Sequence, residues 1–208
     1  MRAGAVTLGL GAALTLGVAG AQQTGGEPGR LDAARLMNEL MTGRGPIGGP
    51  FSLTDQHGQR VGPEQWRGKV VLMYFGYTFC PDACPTDLSN IAAAIEALGP
   101  DGSKVQPVFV TLDPQRDTPA LIGRYVQSFH PRFAALGGSE AEIRRVALSY
   151  KVYYEKVPLR GTDRYLIDHT SFTYVLDTQG RYAGYFPPGT SGRRMSEQVK
   201  ALLPARSP

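Results

Sequence analysis

Cys80 and Cys84 are the only two cysteines in this 208-residue chain, and both lie in one loop, Phe79-Cys80-Pro81-Asp82-Ala83-Cys84-Pro85, directly after an apolar run. A bridge closing so small a loop would constrain the unfolded chain little, so a permanent structural disulfide explains the pair poorly. Two sulfurs this close can cycle between dithiol and disulfide, or they can hold a soft metal ion together. Pro81 and Pro85 disfavour helical backbone at the residues before them. The loop therefore reads as a turn entering a helix that starts near Pro85 or Thr86. Both sulfurs then stand near the positive end of that helix, where free N–H groups favour the thiolate. Thiolates about one turn apart can converge on a soft cation such as Cu(I).

A histidine helps to choose between the two chemistries. Of the three in the chain, His57 in Asp55-Gln56-His57-Gly58 reads as an exposed turn residue. His130, before Pro131 at a helix end, complements the helix dipole. His169, in Leu166-Ile167-Asp168-His169-Thr170-Ser171, stands just before the penultimate strand and is the candidate third ligand. Three ligands with two soft sulfurs suit Cu(I), whereas structural zinc takes four. Asp168 is the candidate to orient the ring. Asp113 ends the strand beside the cysteine strand, so its carboxylate is expected near the mouth of the site, orienting a partner or managing protons. The plainer role for Asp113 is a turn residue before Pro114. Arg116 and Asp117 read as a local pair at a helix start. Thiol–disulfide exchange remains the second chemistry, with Cys80 attacking and Cys84 resolving. It does not strictly need His169, whereas tight metal binding does. A thiol peroxidase fits poorly, since neither cysteine has the Pro-x-x-x-Thr-x-x-Cys surroundings of a peroxiredoxin.

The elements that must position these residues alternate along the chain. Lys69 to Phe75 is near-continuously apolar, the mark of a strand covered on both faces. Leu88, Ile91, Ile95 and Leu98 then recur at helical spacing until Gly99-Pro100. Val105 to Leu112 is the next strand. Thr118-Pro119 caps and starts a helix with apolar Leu121, Ile122, Tyr125, Val126 and Phe129. Ser139-Glu140-Ala141-Glu142 is a capping box before Ile143, Val146, Ala147 and Tyr150. Phe172–Leu176 and Arg181–Phe186 flank Asp177-Thr178-Gln179-Gly180 as a hairpin, and Ser191 to Leu203 makes a closing helix. This order is α/β with a central mixed sheet and flanking helices. With the cysteines at the first strand-to-helix turn, it looks like the thioredoxin fold. Thioredoxins place a cis-proline opposite their sulfurs; this chain has no proline between Pro158 and Pro187 and offers His169 there.

Charged residues at 19% and hydrophobic ones at 42% exclude a disordered or fibrous chain. The net charge of +4 is scattered rather than gathered in a basic stripe, which argues against nucleic-acid binding. Residues 1–21 differ in character: Arg2 is their only charge, and an apolar run ends in Ala19-Gly20-Ala21. That pattern reads as a signal peptide cleaved before Gln22. About 20 uncharged residues would also suffice for a membrane anchor. Residues 22–46 read as a Gly-rich linker with a short helix over Leu31–Met41, and 47–204 as the folded domain.

Three blocks carry a family resemblance: Gly76-Tyr77-Thr78-Phe79-Cys80-Pro81-Asp82-Ala83-Cys84-Pro85, Thr111-Leu112-Asp113-Pro114-Gln115-Arg116-Asp117-Thr118, and Tyr165-Leu166-Ile167-Asp168-His169-Thr170. In order and at these separations they resemble the Sco/SenC proteins, from about Gly48 to the C-terminal helix. The resemblance implies a thioredoxin-like copper protein of the cell envelope, in the periplasm or on the outer face of the inner membrane. It implies one copper per chain, Cu(I) or Cu(II), on Cys80, Cys84 and His169. The implied partner is cytochrome c oxidase subunit II, whose CuA centre receives the copper or has its cysteines kept reduced. Other envelope copper or thiol-redox proteins are further partners, and the chain itself is taken as a monomer. Members often have His where this chain has Phe79, a non-ligand position, so that departure bears on selectivity or partner contact.

Overall fold

A computed structural model of the chain describes Met1 and residues 32–43 and 45–203. Beyond Met1, the segment expected to be a signal peptide lies outside the described residues, as does the Gly-rich stretch that follows it. Asp32 caps the first helix, α1 (Ala33–Thr42), by accepting the Arg35 N–H at 2.9 Å, and Gly43 ends it at φ +62°. Leu36 and Leu40 bury its inner face. No helix among the described residues is long and apolar enough to cross a membrane.

The cysteine strand, β3 (Val70–Gly76), follows two short strands, β1 (Leu53–Asp55) and β2 (Arg60–Val61). All seven of its residues are buried, as its unbroken apolar run requires. Burying each large side chain there contributes roughly 1.5–3 kcal/mol. β3 pairs in parallel with β4 (Val105–Thr111), which pairs in parallel with β5 (Ala134–Gly137). On its other side β3 meets β8 (Thr173–Leu176) antiparallel, and β8 forms the expected hairpin with β9 (Tyr182–Phe186). The seven-stranded order is β2-β1-β5-β4-β3-β8-β9.

Helices cover both faces. Tyr74 and Phe109 are register partners, so they share a face. Phe109 meets Tyr125 of α3 (Pro119–Gln127) at 5.7 Å between centroids, and Gly76 backs onto Cys84 of α2 (Ala83–Ala97). α2 and α3 therefore lie on that face. Phe75 points the opposite way and meets Tyr150, which ends α4 (Glu140–Ser149), at 5.6 Å. Thr118 and the Ser139/Glu142 capping box start α3 and α4 as expected. The last helix, α5 (Gly192–Val199), packs on α2 and passes into a 3₁₀ turn over Lys200–Leu202, so the closing α-helix is shorter than the periodicity predicts. This mixed sheet with helices on both faces is the thioredoxin-like arrangement.

Beyond the short strands β1, β2 and β5, a whole second sheet is absent from the sequence-based expectation. β6 (Tyr154–Pro158) and β7 (Tyr165–His169) form a separate two-stranded sheet. It carries His169, which is therefore the last residue of a strand rather than part of a loop.

Candidate metal centre

The helix bearing the second cysteine begins at Ala83, about two residues earlier than the prolines suggest, so Cys84 lies inside its first turn. Pro85 is tolerated there because a first-turn residue has no intrahelical N–H bond to lose. No side chain caps this helix in the usual way. Instead the Cys84 N–H donates to Cys80 Sγ at 3.4 Å, so the first sulfur occupies the capping position. Cys80 is half-buried and Cys84 fully buried, and both are free thiols.

His169 Nε2 stands 3.7 Å from Cys84 Sγ, and the donor atoms of Cys80, Cys84 and His169 all lie within 4.8 Å of one another. Among the described residues this is the one such grouping of His, Cys, Asp or Glu. The imidazole is wedged edge-on between Tyr74 and Tyr77, at 6.2 and 6.0 Å between centroids. Its Nδ1 lies 3.2 Å from the Thr170 carbonyl oxygen. We assign the proton to Nδ1 on that contact, which leaves the Nε2 lone pair facing the sulfurs.

Asp168 does not orient the ring. Alternate residues of a strand point to opposite faces, so with His169 turned toward the sulfurs its neighbour is exposed on the far side of β7. The Thr170 backbone does the orienting instead. Asp113, expected near the mouth of the site to orient a partner or manage protons, is closed to solvent and to any partner. It is fully buried, accepting from the Tyr165 hydroxyl at 2.7 Å and from Arg116 Nε. Arg116 and Asp117 are not a local pair. Asp117 is buried and accepts from the Thr78 N–H (3.1 Å), the Thr78 hydroxyl and the Thr111 hydroxyl (2.6 Å), tying the cysteine loop to the end of β4. Burial, opposed by these donors, pushes its carboxyl pKa up. His57 is exposed as expected, but His130 does more than face a dipole: it is buried, its Nε2 is 3.1 Å from Glu96, and its Nδ1 accepts the Arg132 N–H.

Two further residues shape the site. A Cβ at Gly76 would stand 2.8 Å from Cys84 Sγ and 2.9 Å from Tyr74 Cε1, closer than real contacts allow. The glycine at the end of an otherwise apolar strand was the available sequence signal. Asp87, one turn after Cys84, is buried with Oδ1 accepting the Gly189 N–H at 2.8 Å, and burial raises its pKa.

The two thiols are electrostatically unequal. A hydrogen bond from the Cys84 thiol, aided by the Asp82 and Cys84 N–H groups at the helix start and opposed by burial, pulls the Cys80 pKa down to about 4. The same bond and burial push Cys84 strongly upward. One thiolate cradled by one thiol and one imidazole is a soft, largely preformed donor set. Donor atoms within 4.8 Å of one another need only a small inward shift to share one ion at about the 2.0–2.3 Å that sulfur and imidazole nitrogen keep from zinc.

Comparison with known proteins agrees with this architecture. The SCO1/SenC family model matches residues 40–204. An SCO2-like protein of Rickettsia prowazekii is 43% identical over 155 residues, covering 74% of this chain and 76% of that protein. Copper-bound ScoI of Bradyrhizobium japonicum superposes with a TM-score of 0.70 at 43% identity, covering 76% of this chain and 99% of that one. Copper-bound ScoI of Arabidopsis thaliana gives 0.69 at 39% identity, over 74% and 95%.

Proposed function

The chain belongs to the SCO1/SenC family, and on that premise we propose that it is a copper metallochaperone that binds one copper ion per chain and passes it to the CuA site of cytochrome c oxidase subunit II. The observation that carries this is the convergence of Cys80, Cys84 and His169 within 4.8 Å. Copper-bound relatives of 43% and 39% identity support the choice of metal. Copper here is cargo. The two sulfurs and Nε2 hold it, the Thr170 carbonyl and the flanking tyrosines keep the imidazole aimed, and Gly76 leaves room for the inner sulfur. Cys80 is the more exposed ligand, so exchange starts there, with an incoming partner ligand replacing it before the buried Cys84 lets go.

The test is copper stoichiometry of the purified reduced protein in competition with a chelator. We expect one ion per chain, stable binding abolished by Cys80→Ser or Cys84→Ser, and affinity at least about tenfold lower in His169→Ala. Wild-type retention by either cysteine variant would overturn the assignment.

One observation favours a second activity at the same site. An accessible thiolate beside a buried thiol is the arrangement of a thiol–disulfide reductase. Cys80 would attack a partner disulfide and form a mixed disulfide. Cys84 would then resolve it, leaving a partner dithiol and a Cys80–Cys84 disulfide here. We also propose export, with the mature domain outside the inner membrane, on the strength of the Arg2-led apolar segment ending in Ala19-Gly20-Ala21. Protein from the native host should begin near Gln22, and full-length protein in the cytoplasm would rule export out.

A further inference from the structure

The His169 hairpin has no ladder to the main sheet, since β6 and β7 pair only with each other. Where the imidazole stands thus depends on side chains that clamp the hairpin down. Arg116 is central among them. Its Nη1 donates to the Tyr165 carbonyl at 3.1 Å, and its guanidinium carbon lies 3.7 Å from the centroid of the Tyr165 ring. The same carbon is 4.9 Å from the centroid of Phe79, the residue before Cys80, and 5.9 Å from that of Tyr77, which borders His169. Nε donates to Asp113, the buried acid just beyond β4, whose other oxygen receives the Tyr165 hydroxyl. One planar cation therefore touches the cysteine loop, the end of the central sheet and the strand that carries His169. Lys156 is a second tether, 4.9 Å over the Tyr165 ring and bonded to Gln115, but it is exposed and worth little.

We propose that Arg116 is a positioning residue: it latches the β6–β7 hairpin onto the cysteine loop and so sets where the His169 imidazole meets the two sulfurs. The proposal rests on the reading of His169 as third ligand. Lysine should not replace it, because the latch uses both the rigid fork of donors and the flat face stacked on aromatic rings.

The test is Arg116→Lys, which keeps a positive charge beside Asp113, studied in two ways on the purified reduced protein. Amide exchange in the metal-free state should quicken severalfold over residues 154–157 and 165–169 while β3 and β4 hold. Cu(I) affinity should fall about tenfold in the wild-type background and less than twofold in the His169→Ala background. Unchanged exchange and affinity would overturn the proposal. So would an equal affinity loss in both backgrounds, which would mean that Arg116 acts through the fold and not through His169. Should the lysine variant fail to fold, Tyr165→Leu removes the stacked ring, leaves the Arg116–Asp113 pair in place, and is read by the same two measurements. If His169→Ala alone binds copper like the wild type, the ligand assignment fails. The exchange data still judge the latch separately.

Discussion

Only one of the two sulfurs meets water, and that difference sets their chemistry. Cys80, half exposed and accepting the Cys84 N–H, is held as a thiolate down to about pH 4, far below the ordinary thiol value of about 8.5. Alkylation of the reduced protein should therefore label Cys80 first, at a rate nearly constant from about pH 5.5 to 8. An ordinary thiol would quicken about tenfold per pH unit over that range. Labelling mapped by mass spectrometry checks this, and preference for Cys84 or an ordinary thiol profile would count against it. The stability sign follows: a depressed pKa stabilises the fold above the unfolded value, and that contribution drains away as pH falls from about 8.5 toward 4. Gly76 offers a steric test at the same scale. Gly76→Ala should cost about 1–3 kcal/mol in denaturant unfolding, the usual range for overpacking. It should also weaken copper binding more than tenfold by displacing Cys84 Sγ, and wild-type affinity would show that the sulfur has slack. The cysteines were legible because their chemistry is local in sequence, and His169 because its chain position faces them. Asp168 was misjudged because β7 was not recognised as a strand, so its two-residue alternation was not applied. Gly76 and Asp117 act across contacts that no short window displays.

The long elements were legible, and the short ones were not. β3 declares itself by an unbroken apolar run, β4 by the β-branched and aromatic Val108-Phe109-Val110, and α3 and α4 by their caps. β1 and β2 span three and two residues, and β5 is Ala-Ala-Leu-Gly, without a β-branched residue. β6 hides behind Glu155, Lys156 and Pro158, being mostly exposed. The connections between elements are where tertiary polar groups matter most, and Asp117 is the clearest case. It satisfies a loop N–H and two hydroxyls while itself buried. Asp117→Ala would orphan all three donors, at about 1–3 kcal/mol for each that stays dry. Urea unfolding should show a loss within or above that range for Ala and a smaller one for Asn, which keeps an acceptor oxygen. Equal stability of wild type and Asp117→Ala would mean that water replaces the carboxylate freely.

At the scale of the whole molecule, with Cys80 and Cys84 as the proposed copper ligands, metal binding and thiol oxidation compete for the same two sulfurs, so redox state should decide whether copper stabilises the fold. A ligand that binds only the native state adds RT ln(1 + [L]/Kd), about 4.1 kcal/mol at a thousandfold excess over Kd. For a domain of this size each kcal/mol moves the thermal midpoint by about 2–4 °C. Copper at that excess should then raise the midpoint of the reduced protein by about 8–16 °C. Any affinity of unfolded thiols for the metal trims the rise, so the lower end is the safer expectation. With Cys80 and Cys84 joined, both thiolates are gone and His169 alone cannot hold a soft ion against a competitor, so the oxidised protein should shift by no more than about 1–2 °C. Scanning calorimetry of the two forms with and without copper reads the difference directly. Equal shifts in both forms would place the ion away from these sulfurs and remove the link between copper loading and redox poise. A large shift in the reduced form alone would make the site a copper carrier whose cargo is released when its own thiols are oxidised.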